Sequence, residues 1–402
     1  MASVIFCSEL GRGSRHLAKL ADYAVELEAQ NYSVRLVTHD LAAAYEYSEF
    51  YDSAFFQAPV FTPPPKDDRQ KDPPLLNYSS VLRANGYESV ATLAPLLRGW
   101  LHILATLKAD IVVAEHAPTA VLAAKLLQIP CIMTGNGFCV PPLLTPLKSI
   151  APWRNTEHSD LQLEDRLLVK TINETIAELE FSDVSLEKAK DLFSHAAQWI
   201  VSVPEIDHYG GRRQPYIVKW TDSTRKAEPK WPKGAGDRIF VYIDASSPYL
   251  KPLLSQLNMH NSPTLAIVPG VSNGLIELYQ GTHIRLQREM VDMRQAVDNC
   301  KVFINDGDHD MTYDLLSLGA PSIFLPSEPA SRLLAHRVVA NGLGFMGQST
   351  VMALNLDDLL KANAQQHQVW HNAAHISLKY ENHQSLERLH DLIKAELVAR
   401  TG

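Results

Sequence analysis

Short apolar runs alternate with amphipathic segments along most of the chain. The first run, Val4 to Cys7, leads through a polar loop into Arg15 to Gln30, where apolar residues recur at helical spacing. The next run, Val34 to Thr38, completes a strand–helix–strand unit. This opening predicts a doubly wound parallel sheet, in which ligands bind beyond the carboxyl ends of the strands.

The alternation continues through the first half of the chain. The further strands that it predicts are Ile111 to Ala114, Pro130 to Thr134 and Trp199 to Val203. The helices that it predicts are Leu93 to Leu107, Thr119 to Leu127, Leu161 to Leu179 and Leu186 to Phe193. Ala42 to Asn77 has little periodicity and contains PPP and PP, which indicates long connecting loops. We therefore predict an N-terminal Rossmann-like domain over residues 1–215.

A second series of strands and helices follows a segment without apolar periodicity. Residues 216–236 are predicted to be a linker, residues 237–380 a second Rossmann-like domain, and residues 381–402 a C-terminal amphipathic helix. The predicted strands are Ile239 to Ile243, Leu265 to Val268, His283 to Leu286, Val302 to Asn305 and Ser322 to Leu325. The predicted helices are Tyr249 to Leu257, Asp292 to Val297, Thr312 to Leu318 and Arg332 to Ala340. The predicted fold class is α/β, with two Rossmann-like domains facing across a cleft.

Length and composition support this division. The chain has 402 residues, which exceeds one ordinary core, and 46% hydrophobic with 20% charged residues is typical of a globular protein. A net charge of −8 argues against general binding of nucleic acid or anionic membranes. The four cysteines show no CxxC spacing, no apolar run reaches the roughly 20 residues of a membrane span, and no signal peptide opens the chain. A cytoplasmic location is therefore expected.

The segment Lys301 to Phe324 combines a strand, a turn, a helix and a second strand. A strand that leads into a helix N-terminus favours anion binding, because backbone N–H groups and the helix dipole converge there. Asp306, Asp308 and Asp310 lie in the mouth of this site. The sequence alone leaves open whether the turn still binds an anion.

Several segments resemble one family. SELGRGSRHLAKLADYAVEL in the first half, and the stretch from Asn305 through LLSLGAPSIFLP to LLAHRVVANGLG in the second, resemble bacterial members of the UDP-glycosyltransferase superfamily, which have the GT-B fold. The resemblance implies inverting transfer of a sugar from a nucleotide-diphosphate sugar to the hydroxyl group of a small-molecule or lipid-like acceptor. It implies no cofactor and no required metal.

The family places its catalytic base on the first helix. By position the resemblance makes His16 that base, and an imidazole with a pKa of about 6.5 suits proton removal at neutral pH. A surface histidine at a helix start is the alternative. Glu115 and His116 follow a strand in the same domain, and they either orient His16 or cap the next helix.

The donor side departs from the family pattern. The residues that the resemblance assigns to donor binding are Ser246, Ser247, Asp306, Gly307, Asp308, His309, Thr312 and Ser331. Asp306 replaces the family's usual histidine and Asp308 one of its glycines, while Ala330-Ser331 replaces an acidic–Gln pair. Two like charges about 4 Å apart repel by roughly 1 kcal/mol in water and about 4 kcal/mol at an effective dielectric of 20. Ser246 also suits a helix N-cap.

Three explanations for the acidic turn remain open. The first is an active transferase with a rearranged donor site. In the second, the aspartates bind Mg²⁺, which bridges to the diphosphate, as oxygen-ligated cations do. The third is a catalytically inactive relative that serves as a binding or partner protein.

The acceptor side rests on fewer residues. Arg12, in the loop after the first strand, and Asn136 with Gly137, in a turn after a later strand, are candidate acceptor-binding residues. A simple tight turn explains Asn136 and Gly137 equally well. The PPLLTPL segment suits packing at the hinge, an apolar acceptor, or contact with the inner membrane face. His367, His371 and His375 share one helix face, which we interpret as solvated and not as a metal site.

Overall fold

The computed structural model describes residues 2–10, 14–45, 55–63, 73–181, 183–212, 216–217, 227–347, 354–380 and 386–398. The chain divides into two compact units. The first comprises Met1–Ser202, Gly211–Ile217 and Ser385–Gly402, and the second comprises Val203–Gly210 and Val218–Gln384. The segment 203–210, predicted to belong to the first domain, is thus grouped with the second unit, and the C-terminal helix with the first.

A seven-stranded parallel sheet forms the centre of the first unit, in the order β3-β2-β1-β4-β5-β6-β7. The strands are β1 (Ser3–Ser8), β2 (Ser33–Thr38), β3 (Phe55–Gln57), β4 (Ile111–Glu115), β5 (Cys131–Gly135), β6 (Ala197–Val201) and β7 (Tyr216–Ile217). Val4 pairs with Val34 on one side and with Ile111 on the other. Every residue of β4 and β5 is buried, as expected for central strands covered on both faces.

Helices cover this sheet. They are α1 (Ser14–Ala29), α2 (Leu41–Tyr45), α3 (Tyr78–Leu82), α4 (Val90–Thr106), α5 (Pro118–Leu126) and α6 (His158–Glu178). A π-helical turn, Arg83–Tyr87, and a short 3₁₀ helix, Ala189–Leu192, lie between them. The apolar stripe of α1, which includes Leu17 and Leu20, packs on β1 and β2 and leaves the carboxyl edge of the sheet open to the loops.

The second unit repeats this plan around a six-stranded parallel sheet in the order β10-β9-β8-β11-β12-β13. Its strands are β8 (Ile239–Tyr242), β9 (Thr264–Ile267), β10 (Ile284–Gln287), β11 (Val302–Asn305), β12 (Ser322–Phe324) and β13 (Gly344–Met346). Its helices are α7 (Leu250–His260), α8 (Asn273–Leu278), α9 (Met293–Asp298), α10 (His309–Ser317), α11 (Pro329–Ala340), α12 (Leu356–Gln365) and α13 (His367–Tyr380). Strands β8 and β11 are neighbours, so the loops that follow them meet at one edge.

The last helix, α14 (Leu386–Val398), belongs to the first unit. Its Ile393 is fully buried in the same apolar cluster as Val4, Leu17 and Leu20. The amphipathic stripe that predicts this helix thus covers the β1–α1 region.

Some predicted elements were wrong. Ala42 to Asn77, predicted to be loops, contains all of α2 except Leu41, and it also contains strand β3. Strand β3 forms because it pairs with β2 (Leu36 with Phe55) and not because of its own periodicity. The helix predicted over Leu186 to Phe193 is only the short 3₁₀ helix, since the Asp191 carboxylate accepts from the N–H of Lys188 at 2.8 Å and tightens the turn. Helices α3, α8 and α12 and strand β13 were not predicted, and the predicted linker 216–236 begins with strand β7.

Within the described part of the chain, no helix is both long enough and apolar enough to cross a membrane.

Candidate functional site

The turn between β11 and α10 is shaped by an asparagine. Asn305, the last residue of β11, accepts hydrogen bonds at Oδ1 from the N–H groups of Gly307 (2.8 Å) and Asp308 (3.1 Å). Its Nδ2 donates to the hydroxyl of Thr312 at 2.9 Å. One fully buried side chain therefore fixes both ends of the turn. We call residues 305–312 the donor turn.

Gly307 brings the donor turn against α11. Its φ is +88°, and a Cβ on this residue would lie 2.8 Å from both the Cβ and the carbonyl oxygen of Ser331. Only glycine fits there, because a side chain would be strained by the backbone and would collide with α11. The structure therefore brings together two of the predicted donor residues, Gly307 and Ser331.

Asp306 connects the donor turn to the loop after β8. Its Oδ2 accepts from the N–H of Asp244 at 2.8 Å, and its Oδ1 accepts from the N–H of Asp308 at 3.2 Å. Burial raises the pKa of Asp306 to about 7, with the charges of Asp308 and Asp244 adding to the effect, although both N–H groups oppose it. Near neutral pH this carboxyl group is thus poised between its two protonation states.

Asp308 is the N-cap of α10. Its carboxylate accepts from the N–H of Met311 at 2.7 Å, and its carbonyl oxygen accepts from the hydroxyl of Thr312 at 2.6 Å. A cap of this kind satisfies a helix N–H that otherwise has no partner within the helix. The chain's own carboxylate therefore takes a hydrogen bond and a dipole interaction that an anionic ligand would use.

The environment of His309 and Asp310 argues against their balancing the charge of a ligand. Both are buried, and Nδ1 of His309 lies 3.4 Å from Oδ1 of Asp310. The ring of His309 stacks on that of His208, with centroids 5.7 Å apart and planes inclined by 20°. Segment 203–210 therefore packs on the first turn of α10.

The two serines after β8 meet the donor turn through a residue that the sequence analysis missed. Ser246 donates from its N–H (2.8 Å) and its hydroxyl (2.6 Å) to Oδ1 of Asp244, whose own N–H donates to Asp306. The hydroxyl of Ser247 accepts from the N–H of Tyr249 at 3.3 Å. Ser246 does not cap α7, which begins at Leu250 without a side-chain cap. The sequence signal for Asp244, which was overlooked, is an acid directly after a predicted strand.

In the first unit, Glu115 and His116 lie at the carboxyl edge of the sheet. Glu115 is the last residue of β4 and is buried. His116 has a φ of +50°, its ring lies against Tyr78 and Phe138, and its carbonyl oxygen accepts from the N–H of Leu10 at 2.9 Å. This bond joins the loops after β1 and β4.

Of the other candidates in this unit, one lies outside the described residues. This candidate is Arg12. For His16 the structure describes the backbone, which lies in the first turn of α1, and not the side chain. Asn136 accepts at Oδ1 from the N–H groups of Phe138 (3.0 Å) and Cys139 (3.3 Å). The carbonyl oxygen of Gly137 accepts from Arg212 at 2.8 Å. These bonds build a tight turn; an acceptor-binding role for Asn136 and Gly137 stays a prediction.

Glu9 is the acid that caps α5, a role that the sequence analysis offered to Glu115 and His116. Its two carboxylate oxygens accept from the N–H (2.8 Å) and the hydroxyl (2.5 Å) of Thr119. The same hydroxyl lies 2.8 Å from the phenol oxygen of Tyr87. Burial raises the pKa of Glu9 to about 7, although its bonds to Thr119 and Ala120 oppose the shift. The sequence signal was the acid that directly follows β1.

The geometry offers no cage for a cation among the described residues. No three His, Cys, Asp or Glu side chains there are grouped to hold a metal ion. The carboxyl oxygens of Asp306 and Asp308 accept hydrogen bonds from backbone N–H groups. The bridging-Mg²⁺ explanation therefore gains no support from the residues of the donor turn.

Comparison with known proteins shows what the whole chain resembles. The spinosyn rhamnosyltransferase SpnG matches at a TM-score of 0.65 and 13% sequence identity, over 98% of this chain and 99% of that chain. VinC in complex with dTDP matches at 0.63 and 13%, over 98% and 99%. SnogD from Streptomyces nogalater matches at 0.60 and 14%, over 97% and 99%. This chain has the GT-B fold.

The GT-B assignment confirms the predicted fold class of two Rossmann-like domains. At this identity the likeness concerns the fold. No protein-family model matches the sequence, and neither does any curated protein.

The raised pKa of Glu9 predicts a pH-dependent stability. Because its pKa of about 7 in the folded state lies above the roughly 4.3 of an unfolded glutamate, its contribution is fully present only below the unfolded value and is lost as the pH rises through 7. Urea unfolding should therefore give a free energy of unfolding that falls by roughly 2 kcal/mol more in wild type than in Glu9→Gln between about pH 5.5 and about pH 8.

The control for this measurement is Glu178→Gln, which changes an exposed glutamate of the same unit. It should keep the pH slope of the wild type. A wild-type slope in Glu9→Gln would contradict the assignment of the raised pKa to Glu9.

Proposed function

We propose that the protein is an inverting glycosyltransferase, which moves a sugar from a nucleotide-diphosphate sugar to the hydroxyl group of a small-molecule or lipid-like acceptor. The observation that carries the proposal is a full-length GT-B fold whose second sheet keeps a strand–turn–helix unit at the carboxyl end of β11. Solved structures of this fold include SpnG with spinosyn aglycone and SpnG with thymidine diphosphate. Those ligands support the same two substrate classes here.

The proposed reaction needs a base and a leaving-group site. His16 takes the proton of the acceptor hydroxyl, the acceptor oxygen forms a bond to the anomeric carbon, and the bond from that carbon to the diphosphate breaks. The electron pair of the broken bond leaves with the nucleoside diphosphate. Glu115 and His116 lie at the carboxyl edge of the sheet in the same unit as helix α1, which carries His16, and they are the proposed orienting groups. Arg12, Asn136 and Gly137 are proposed for the acceptor. No cofactor or metal enters the proposal.

The donor turn determines how the diphosphate is held. Ser246, Asp306 and Gly307 lie around Asp244 and Ser331, at the edge where a GT-B donor would meet β8 and β11. An ionised Asp306 or Asp308 would repel each nearby phosphate charge by roughly 1–4 kcal/mol. A protonated Asp306 would instead donate a hydrogen bond. We propose that the protein binds its donor with Asp306 neutral, and that Ser247, His309 and Thr312 support the turn around it.

One observation favours a second candidate, a catalytically silent relative that keeps the fold as a binding protein. The N–H groups of Asp308 and Met311 are already bonded to carboxylates of the chain. A diphosphate would have to displace these bonds in order to use the same groups. Nucleotide-sugar binding distinguishes the two functions.

Donor binding should depend on pH. The affinity for dTDP-glucose, whose diphosphate does not titrate in this range, should rise about tenfold between about pH 8 and about pH 6, because Asp306 becomes neutral as the pH falls through 7. Asp306→Asn should bind with nearly pH-independent affinity, and Asp298→Asn, an exposed acid of the same unit, should behave as wild type. Isothermal titration calorimetry checks this, with UDP- and GDP-glucose as further donors.

Two outcomes would count against the proposal. Absence of binding by all three nucleotide sugars would leave the silent relative as the function. Binding with the same pH dependence in Asp306→Asn would show that Asp306 does not control the donor site.

The proposed base is tested once a donor is known. His16→Ala should lower kcat by at least about a hundredfold, since general-base catalysis contributes about 10²–10⁴-fold, while the Kd of the donor stays the same. His158→Ala, an exposed histidine at the start of α6, is the matched control and should keep full turnover. Retained turnover in His16→Ala would remove this histidine as the base.

A further inference from the structure

A cavity of about 560 Å³ lies in the second unit, away from the donor turn. Its wall is formed by segment 203–210, the C-terminal half of α11 and one face of α13. The lining residues are Pro204, Glu205, Arg337, Asn341, Leu343, Gln368, His371, Asn372, His375 and Ile376. No residue of the donor turn lines it. Its volume falls in the range of about 300–1,000 Å³ that is typical of small-molecule sites.

Arg337 is the unusual group in this cavity. Its Nε is buried and has no hydrogen-bond partner among the described residues. The guanidinium lies flat against the backbone of Gly210, where a Cβ would come within 2.9 Å of its central carbon. Buried polar atoms are almost always hydrogen-bonded, because leaving one unpaired costs its full desolvation. An unpaired guanidinium that faces a cavity is therefore a candidate to bind a ligand.

The acid that lines the cavity does not pair with Arg337. Glu205, on the same wall, accepts hydrogen bonds from Lys379 and from the phenol of Tyr380, the latter at 2.8 Å. Burial raises the pKa of Glu205, but these two bonds outweigh it, and the pKa of this carboxyl group lies below its usual range. The negative charge of Glu205 is thus already balanced by Lys379 and not by the guanidinium of Arg337.

Two histidines of α13 add further hydrogen-bond donors to the wall. His371 and His375 are one helical turn apart on α13, and both line the cavity. The side chain of neither histidine makes a hydrogen bond or an ion pair with another described residue. Pro204, Leu343 and Ile376 add apolar surface to the wall. A guanidinium together with two imidazoles can bind a tetrahedral oxyanion such as phosphate, because the planar guanidinium donates hydrogen bonds to two phosphate oxygens at once.

We propose that this cavity is a second ligand site, separate from the proposed donor site, which binds a small phosphate monoester that carries an apolar group. Arg337 holds two phosphate oxygens, and His371 and His375 bind the third. The apolar group lies on Leu343 and Ile376. The site exists whether or not the donor turn binds a nucleotide sugar, because the two share no residue.

Phenyl phosphate is the probe for this site. The full-length protein should bind it in a saturable one-to-one titration by calorimetry, and benzyl alcohol, which has the ring without the phosphate, should not bind. Arg337→Gln should weaken binding by at least about tenfold, the loss expected for hydrogen bonds to a charged group. Arg294→Gln, which removes an exposed positive charge from α9, should bind as the wild type does.

A second variant keeps the test valid if Arg337→Gln does not fold. His371→Asn with His375→Asn changes two exposed side chains of α13 and should also weaken binding. Absence of phenyl phosphate binding by the wild type would overturn the proposal. So would equal binding of benzyl alcohol, or unchanged affinity in the folded Arg337 or double-histidine variant.

Discussion

The hydrogen bond that the Asp308 carboxylate accepts at the start of α10 is the interaction on which the donor turn depends. The carboxylate of Asp308 accepts a hydrogen bond from the N–H of Met311. The carboxyl group of Asp306 accepts from the N–H groups of Asp308 and Asp244. Helix N-termini of this kind are where phosphates bind in many α/β proteins, because the N–H groups and the dipole both favour negative charge. Here the negative charge is part of the chain, and the turn is therefore complete without a ligand.

The first unit uses the same device. Glu9, in the loop after β1, caps α5 through Thr119, and its pKa is raised to about 7 as is that of Asp306. Each sheet thus carries at its carboxyl edge one buried acid that titrates near neutral pH. Such perturbed acids are concentrated at functional sites, although structural networks also produce them.

The sequence predicted the central strands well because buried parallel strands are continuous apolar runs. Every residue of β4 and β8 is buried, and both strands lie close to their predicted bounds. Strand β3 was missed because its pairing with β2 decides it. The helix at Leu186 to Phe193 was predicted too long, because the Asp191 carboxylate accepts hydrogen bonds from the N–H groups of Glu187 and Lys188. The local pattern of apolar and polar residues does not reveal such tertiary contacts.

The candidate site was predictable in position but not in detail. The spacing around Gly307 and Thr312 predicted the turn between β11 and α10. Its fixed geometry follows from Asn305, which begins the family-like stretch but had been given no role. Asp244 and Glu9 were overlooked because each is a lone acid after a strand. The cavity at Arg337 joins residues more than 130 positions apart in the chain, such as Glu205 and Asn341, and only the fold reveals it.

The most direct test of whether the Asp308 cap occupies the place of an anionic ligand is the affinity of Asp308→Gly for dTDP. Glycine is itself a tolerated N-cap, so the substitution costs only a few tenths of a kcal/mol while it frees the N–H of Met311 and removes one charge. Asp292→Gly, which removes the equivalent cap of α9, is the control. By calorimetry, Asp308→Gly should bind dTDP at least about tenfold more tightly than wild type and Asp292→Gly. Equal or weaker binding by Asp308→Gly would contradict the account.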